Sequence, residues 1–257
     1  MIIRKSPAEL DKMRRSGAIL AATIDAVLDA IAPGASTLDL DRVAAESIAE
    51  AGATSNFLGY RGGGGQIPFP GTICASINDQ IVHGIPSASR ILRDGDLVSL
   101  DFGAIWEHFH SDSAVTVFVG APPSDDAKRL IEATQAALEA AIDVIRPGGR
   151  LSDIGHAIEQ MAIAHGVGVV REYGGHGIGR AMHEDPFIQN WGPPGRGPEL
   201  KPGLVVAVEP MFNLGGDETR VLDDGWTVVT ADGSLSAHFE HTIAVTAEGH
   251  EVLTARS

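Results

Sequence analysis

Ile31-Ala32-Pro33-Gly34 and Ile145-Arg146-Pro147-Gly148 end two long helical patterns in the same way, 114 residues apart (147 − 33). Each stop is followed by a polar step holding a Leu and an Asp, Leu38-Asp39 in the first case and Leu151 with Asp153 in the second, and then by another helical pattern. A second echo lies downstream. Gly95-Asp96-Leu97-Val98-Ser99-Leu100-Asp101 matches Gly203-Leu204-Val205-Val206-Ala207-Val208-Glu209, an apolar strand ending in a carboxylate, at an offset of 108 (209 − 101). Unrelated echoes at nearly one offset imply a doubled half: two helices, then strands carrying acids. A solenoid is excluded, because such arrays repeat every ~20–50 residues. Two halves offering acids to one centre imply a single domain over 1–257, of the α/β (α+β) class, with halves at about 10–120 and 125–250.

Local signals place the helices. Ser6 can cap, Pro7 suits the first helical position, and Glu9 completes a capping box, so a helix is expected from there to about Ala32. A second starts after Thr37, with Asp39 and Asp41 in its first turn, and ends near Gly52. Asp125 to Ile145 and Ser152 to about Gly166 form the second pair. The run Gly62 to Gly65, continuing to Gly71, reads as a surface loop; it lacks the Lys-Ser/Thr of a phosphate-binding loop.

Charge and cysteine content remove whole classes of function. Lys and Arg total 19 against 34 Asp and Glu, a net charge of −15 that repels a phosphate backbone, so direct nucleic-acid binding is not expected. Cys74 stands alone, which excludes an intrachain disulfide and suits a reducing compartment. No apolar run approaches the ~20 residues that cross a bilayer, and Met1 to Pro7 does not read as a secretory signal. The expectation is a soluble, cytoplasmic protein with no membrane partner.

Candidate chemistry begins in a hairpin. If Leu97–Ala104 and His108–Val119 meet about a turn at Trp106-Glu107, opposed residues sum to 213, and Asp101 faces Asp112. Two ionised carboxylates that close repel unless a proton or cation lies between them; another register would leave both in solvent. Glu209 follows five apolar residues, a poor position for solvent, and Glu240 leads into the apolar strand Ile243–Val245. His176 sits among glycines that let a ligand approach the backbone, although many such histidines are ordinary loop residues. Asp101, Asp112, His176, Glu209 and Glu240 together give four carboxylates and one imidazole, a hard set suited to two divalent ions such as Mn, Fe or Co, with Zn accepted. Two ions about 3.5–4 Å apart can clamp a bridging hydroxide. His83 and His183 could donate to a substrate amide or its developing oxyanion, or serve only as turn histidines. His108, His110 and Asp112 could form a three-ligand zinc strip on one strand face; that reading is set aside because it leaves the second-half acids without a purpose.

The blocks Val82-His83-Gly84-Ile85-Pro86, Asp101-Phe102-Gly103, Asp112, Gly175-His176-Gly177-Ile178-Gly179-Arg180 with His183-Glu184 and Pro186, Glu209-Pro210 and Phe239-Glu240-His241-Thr242 closely resemble type I methionine aminopeptidase, from Ser6 to about Thr246. The resemblance implies the pita-bread fold, two pseudo-symmetric halves with helices packed on mostly antiparallel sheet. It implies that Asp101 chelates one metal, that Asp112 and Glu240 bridge, and that His176 and Glu209 complete the other shell. A metal-bridging water would attack the carbonyl of the N-terminal methionine, with Glu209 as proton acceptor and shuttle, His83 on the scissile amide nitrogen and His183 on the carbonyl oxygen. The methionine pocket would hold Phe69, Cys74, His83, Met182, His183 and Trp226; Gln66 and Met182 stand where aromatics are common in the family. No Cys-rich extension precedes Ser6 and only 31 residues separate Glu209 from Glu240 (240 − 209), as in the short bacterial type I enzymes. The resemblance further implies two divalent ions per chain (Co, Mn, Fe or Zn), a monomer, and removal of initiator methionine near the ribosome from nascent chains with a small second residue. The alternatives are a proline-specific peptidase of the same fold and a metal-free peptide-binding module.

Overall fold

The computed structural model describes residues 1–62 and 67–256. Most of the glycine run, and Gln66, lie outside the described residues. Four long helices form close to the expected positions. Helix α1, Pro7–Asp29, begins with the Ser6/Glu9 capping box: Glu9 accepts the Ser6 N–H at 2.9 Å. It ends three residues before the expected stop, because the Ala30 and Ile31 N–H groups turn back to Val27 and Leu28 and tighten the chain ahead of Pro33. Helix α2, Thr37–Glu50, is capped by Ser36, with Asp39 closing the box. Helix α3, Asp125–Asp143, starts at a Ser124 cap. Helix α4, Leu151–His165, starts one residue earlier than expected, since Asp153 accepts the Arg150 N–H, and ends on left-handed Gly166, φ 63°. None of the described helices is long and apolar enough to cross a membrane.

The strands that build the site are β1 (Ile73–Ile77), β2 (Leu97–Trp106) and β3 (Phe109–Phe118) in the first half. Those of the second half are β4 (Gly174–Gly177), β5 (Glu184–Gln189), β6 (Val205–Val208), β7 (Ser236–His238), β8 (His241–Val245) and β9 (His250–Val252). In the first half β2 pairs antiparallel with both β1 and β3. In the second, the order is β9-β8-β6-β4-β5, again antiparallel throughout. The helices pair as α1 with α2 and α3 with α4 on these sheets, and one apolar core runs from Leu20 and Ile24 through Leu100 and Phe102 to Leu130, Ile154, Val206 and Ile243.

The hairpin register corrects the sequence reading. Opposed residues sum to 215, not 213: Asp101 pairs with Ala114, and Asp112 with Gly103. The turn is Glu107-His108, both with positive φ (46° and 67°), the backbone of a two-residue hairpin loop that normally selects Asn or Gly. Because the partner moves by two residues, face is preserved, and Asp101 and Asp112 become diagonal neighbours on one side of the sheet.

The halves meet between β3 and the β7–β8 segment. Ala114 and Glu240 exchange backbone hydrogen bonds, at 3.3 and 3.0 Å. On either side a threonine hydroxyl replaces a backbone group. Thr242 Oγ1 accepts the Asp112 N–H and donates to its carbonyl (2.9 and 2.8 Å), and Thr116 Oγ1 does the same for His238 (2.8 and 2.7 Å).

Candidate metal centre and peptide pocket

The seam brings acids from both halves together. Asp112 on β3 and Glu240 between β7 and β8 are 4% and 2% exposed. His176 lies on β4, a strand rather than the loop its glycines suggested, opposite Ala207 of β6. Its neighbours must be glycine for close packing: a Cβ on Gly175 would fall 2.3 Å from Ala207 O, and one on Gly177 2.2 Å from Asp185 O. His176 Nδ1 lies 2.9 Å from Gly177 O, so Nδ1 donates and Nε2 keeps its lone pair. Nε2 faces Glu209 Oε1 at 3.6 Å and Asp112 Oδ2 at 4.0 Å. Among the described residues, ligand atoms of Asp112, His176 and Glu240 lie within 4.8 Å of one another. Asp101 and Glu209 line the same cavity, and Asn190 holds the Glu209 backbone through its carbonyl at 2.9 Å.

Burial dominates the electrostatics. It pushes Asp101 up to about 7, against weaker help from Asp112, the Phe102 N–H and the Cys74 thiol. Burial and then neighbouring negative charge raise Asp112, Glu209 and Glu240 well above the carboxylate range. Burial also lowers His176 to about 3 and His83 to about 4. Asp101 Oδ1, Asp112 Oδ1 and Glu240 Oε1 are buried with no hydrogen-bond partner. Buried acceptors in that state are costly, and oxygens from four converging carboxylates are the donors that hard divalent cations take. The residues therefore fit a metal centre.

An apolar pocket opens beside the acids. Phe57, Phe69, Cys74, Met182 and Trp226 pack as one cluster, with Tyr60 at its edge. Phe69 meets Trp226 edge-on at 5.3 Å between centroids, and Trp226 Nε1 donates to Ile67 O at 2.9 Å. His83 adopts φ 60°, a left-handed conformation rare outside glycine, and stands edge-on to Trp226 and Tyr173. His183 reaches the same cavity, its ring 4.3 Å from that of His176. The ligand and pocket residues expected from sequence thus converge on one cavity.

His108 and His110 do not join them. His108 leaves β3 for the turn, which breaks the proposed zinc strip.

Three residues escaped the sequence reading. Phe57 and Tyr60 enclose the pocket, and Tyr60 Oη lies 2.9 Å from His183 Nδ1. His238 is 2% exposed; its unpartnered Nε2 stands 3.9 Å from both Glu209 and Glu240. Only its place two residues before Glu240, on an alternating strand, could have pointed to it.

A model of metallopeptidase family M24 matches residues 11–247. The chain is 50% identical over 260 residues to methionine aminopeptidase 1 of Mycobacterium tuberculosis, spanning 99% of this chain and 95% of that protein. It is 49% identical to methionine aminopeptidase 1 of Bacillus subtilis, with 99% of each covered. Its fold superposes on the crystal structure of a methionine aminopeptidase from Thermotoga maritima with a TM-score of 0.95, at 40% identity and full coverage of both chains. A prolidase from Pyrococcus furiosus shares the fold (TM-score 0.79) at 21% identity, with 99% of this chain and 66% of that one covered.

Proposed function

Because this chain belongs to metallopeptidase family M24, we infer that it is a methionine aminopeptidase, a metal-dependent hydrolase that removes N-terminal methionine from polypeptides. One observation carries the substrate assignment: an apolar, aromatic-walled pocket sits directly beside the acid cluster. A flexible thioether packs well against Phe69, Met182 and Trp226 through sulfur–aromatic contacts. The whole chain acts as one catalytic domain, since the acids come from both halves.

Asp101, Asp112, His176, Glu209 and Glu240 would hold two divalent ions. When bound, such ions supply Lewis-acid polarisation of the carbonyl and a nucleophile at neutral pH. The side chains do the rest. Glu209, whose side chain is 15% exposed against 3% for Glu240, is placed to touch substrate. It accepts the proton released on attack and returns it to the departing amine. His83 contacts the scissile amide nitrogen, and His183 donates to the carbonyl oxygen as negative charge develops there.

Tyr60 sets the state of His183. Burial and the Asp112 charge raise its phenol, so it keeps its proton; donated to His183 Nδ1, that proton would leave the imidazole hydrogen on Nε2 for the substrate. Tyr60→Phe keeps the ring and removes that donor. It is expected to lower kcat about tenfold, the order of one lost hydrogen bond, with KM little changed. Unchanged kcat would refute the role.

The physiological setting that follows is the cytoplasm, with nascent chains at the ribosome as substrate and a monomeric enzyme; cobalt, manganese, iron or zinc would serve the centre. Metal-reconstituted protein should cleave Met-Ala-Ser, cleave its norleucine analogue more slowly, and spare Xaa-Pro peptides. Cleavage confined to Xaa-Pro would replace this reading with that of a proline-specific peptidase.

A further inference from the structure

The loop from Ile178 to His183 carries Met182 into the pocket and His183 to its mouth, and it is tied to the N-terminal arm by a buried ion pair. Lys5 Nζ donates to Glu184 Oε2 at 2.7 Å, with side chains 3% and 8% exposed. Lys5 Nζ also donates to Ile3 O at 3.1 Å, and its backbone N–H to Gly203 O at 2.7 Å, so the arm is anchored at both ends of this residue. The other Glu184 oxygen, Oε1, accepts the N–H groups of Arg180 (2.8 Å) and Ala181 (3.4 Å). One carboxylate thus holds the loop backbone on one side and Lys5 on the other. Gly179 makes the passage possible: a Cβ there would lie 2.3 Å from Lys5 Cε and 2.7 Å from Nζ.

We propose that Lys5 is a positioning residue for His183, acting through Glu184 to fix the loop that presents the imidazole and Met182 to substrate; this rests on the peptidase reading above. A buried ion pair is a weak source of net stability, because desolvation offsets much of the attraction. Its effect here is geometric. Without Lys5, Glu184 is left as an unpaired buried carboxylate, its grip on Arg180 and Ala181 is lost as it seeks water, and His183, the residue directly before it, moves. A shift of about 1 Å at a group that contacts the reacting carbonyl can cost roughly 100-fold in rate.

The test is a double-mutant cycle on Met-Ala-Ser hydrolysis by metal-loaded protein, at a temperature where circular dichroism shows every variant folded. Lys5→Met should lower kcat between about 10- and 100-fold. Lys5→Gln, which is neutral but still a donor, should fall between it and wild type, and carries the test if Lys5→Met does not fold. Lys12→Met, which breaks the exposed Lys12–Glu107 pair, should stay within about twofold of wild type. In a His183→Ala background, Lys5→Met should cost less than about threefold, because the group it positions is gone. Equal factors in the two backgrounds, or a kcat for the Lys5 variants within about twofold of wild type, would overturn the proposal. If wild-type protein does not cleave Met-Ala-Ser, the peptidase reading itself fails. Amide hydrogen exchange then decides the loop's dependence on Lys5: faster exchange at Arg180 and Ala181 in Lys5→Met supports it, and unchanged exchange overturns it.

Discussion

Glu209→Gln is expected to leave a folded protein whose kcat on Met-Ala-Ser is lower by about 10³-fold or more, with KM within a few fold of wild type. The amide keeps the shape of the carboxylate and cannot take a proton. Burial and the Asp101 charge raise Glu209 above its ordinary range, the direction that makes a carboxylate a better proton acceptor. The Asn190 contact to the Glu209 carbonyl is to backbone and survives the change. Steady-state kinetics with metal content measured on the same samples would check this. A kcat loss below about tenfold at full metal content would remove Glu209 from proton transfer.

The second large effect concerns stability without metal. Each carboxyl of Asp101, Asp112, Glu209 and Glu240 has a folded pKa above its unfolded one, Asp101 at about 7. Above the unfolded carboxylate pKa, roughly 4, the folded state therefore holds protons that the unfolded chain has released, and stability falls as pH rises. Histidines oppose this at first. His83 and His241 are lowered to about 4, and His176 and His238 to about 3, mainly by burial. They favour the folded state progressively up to about pH 6.5, the unfolded histidine value, and contribute no slope beyond it. In the window that opens above about pH 6.5 the carboxyls stand unopposed, and each still protonated costs about 1.4 kcal/mol per pH unit. Chelator-treated protein should show a Tm that drops across that window, whereas manganese- or cobalt-loaded protein should show little drop, because the cations favour the ionised carboxylates. A metal-free Tm that is flat above pH 6.5 would contradict the buried acid cluster.

What could be read from sequence followed the range of the forces involved. Caps act within four residues, so Ser6-Pro7-Ala8-Glu9 announces its helix. The acids were legible because a carboxylate closing an apolar strand, as Glu209 does, has few reasons to be there. The register of β2 on β3 was not, because Glu107 and His108 adopt a positive-φ turn without the residues that usually signal it. Asp101 and Asp112 were still placed on one face, since a slip of two preserves side-chain direction. Tyr60 and Phe57 were missed for another reason. They belong to an irregular segment that meets Met182 and His183 only through tertiary packing, and no periodicity encodes that contact. His176 looked like a loop residue because glycine-rich sequence imitates loops, whereas its glycines admit Ala207 O and Asp185 O from neighbouring strands.

Thr116 and Thr242 have a consequence that outlasts any single residue of the centre. A slide of one residue between the two half-sheets would turn Asp112 away from the cavity, and a slide of two would carry it about 7 Å along the strand from Glu240. At this seam a mutual pair of main-chain bonds, between Ala114 and Glu240, opposes such slippage directly. The two hydroxyls, one from each half and each both giving and receiving, behave as dowels that admit a single way of meshing. Exchanging either for valine would preserve bulk yet erase the alignment. The resulting fault would show at the centre of the molecule, as a misfit between oxygens that had not themselves been altered.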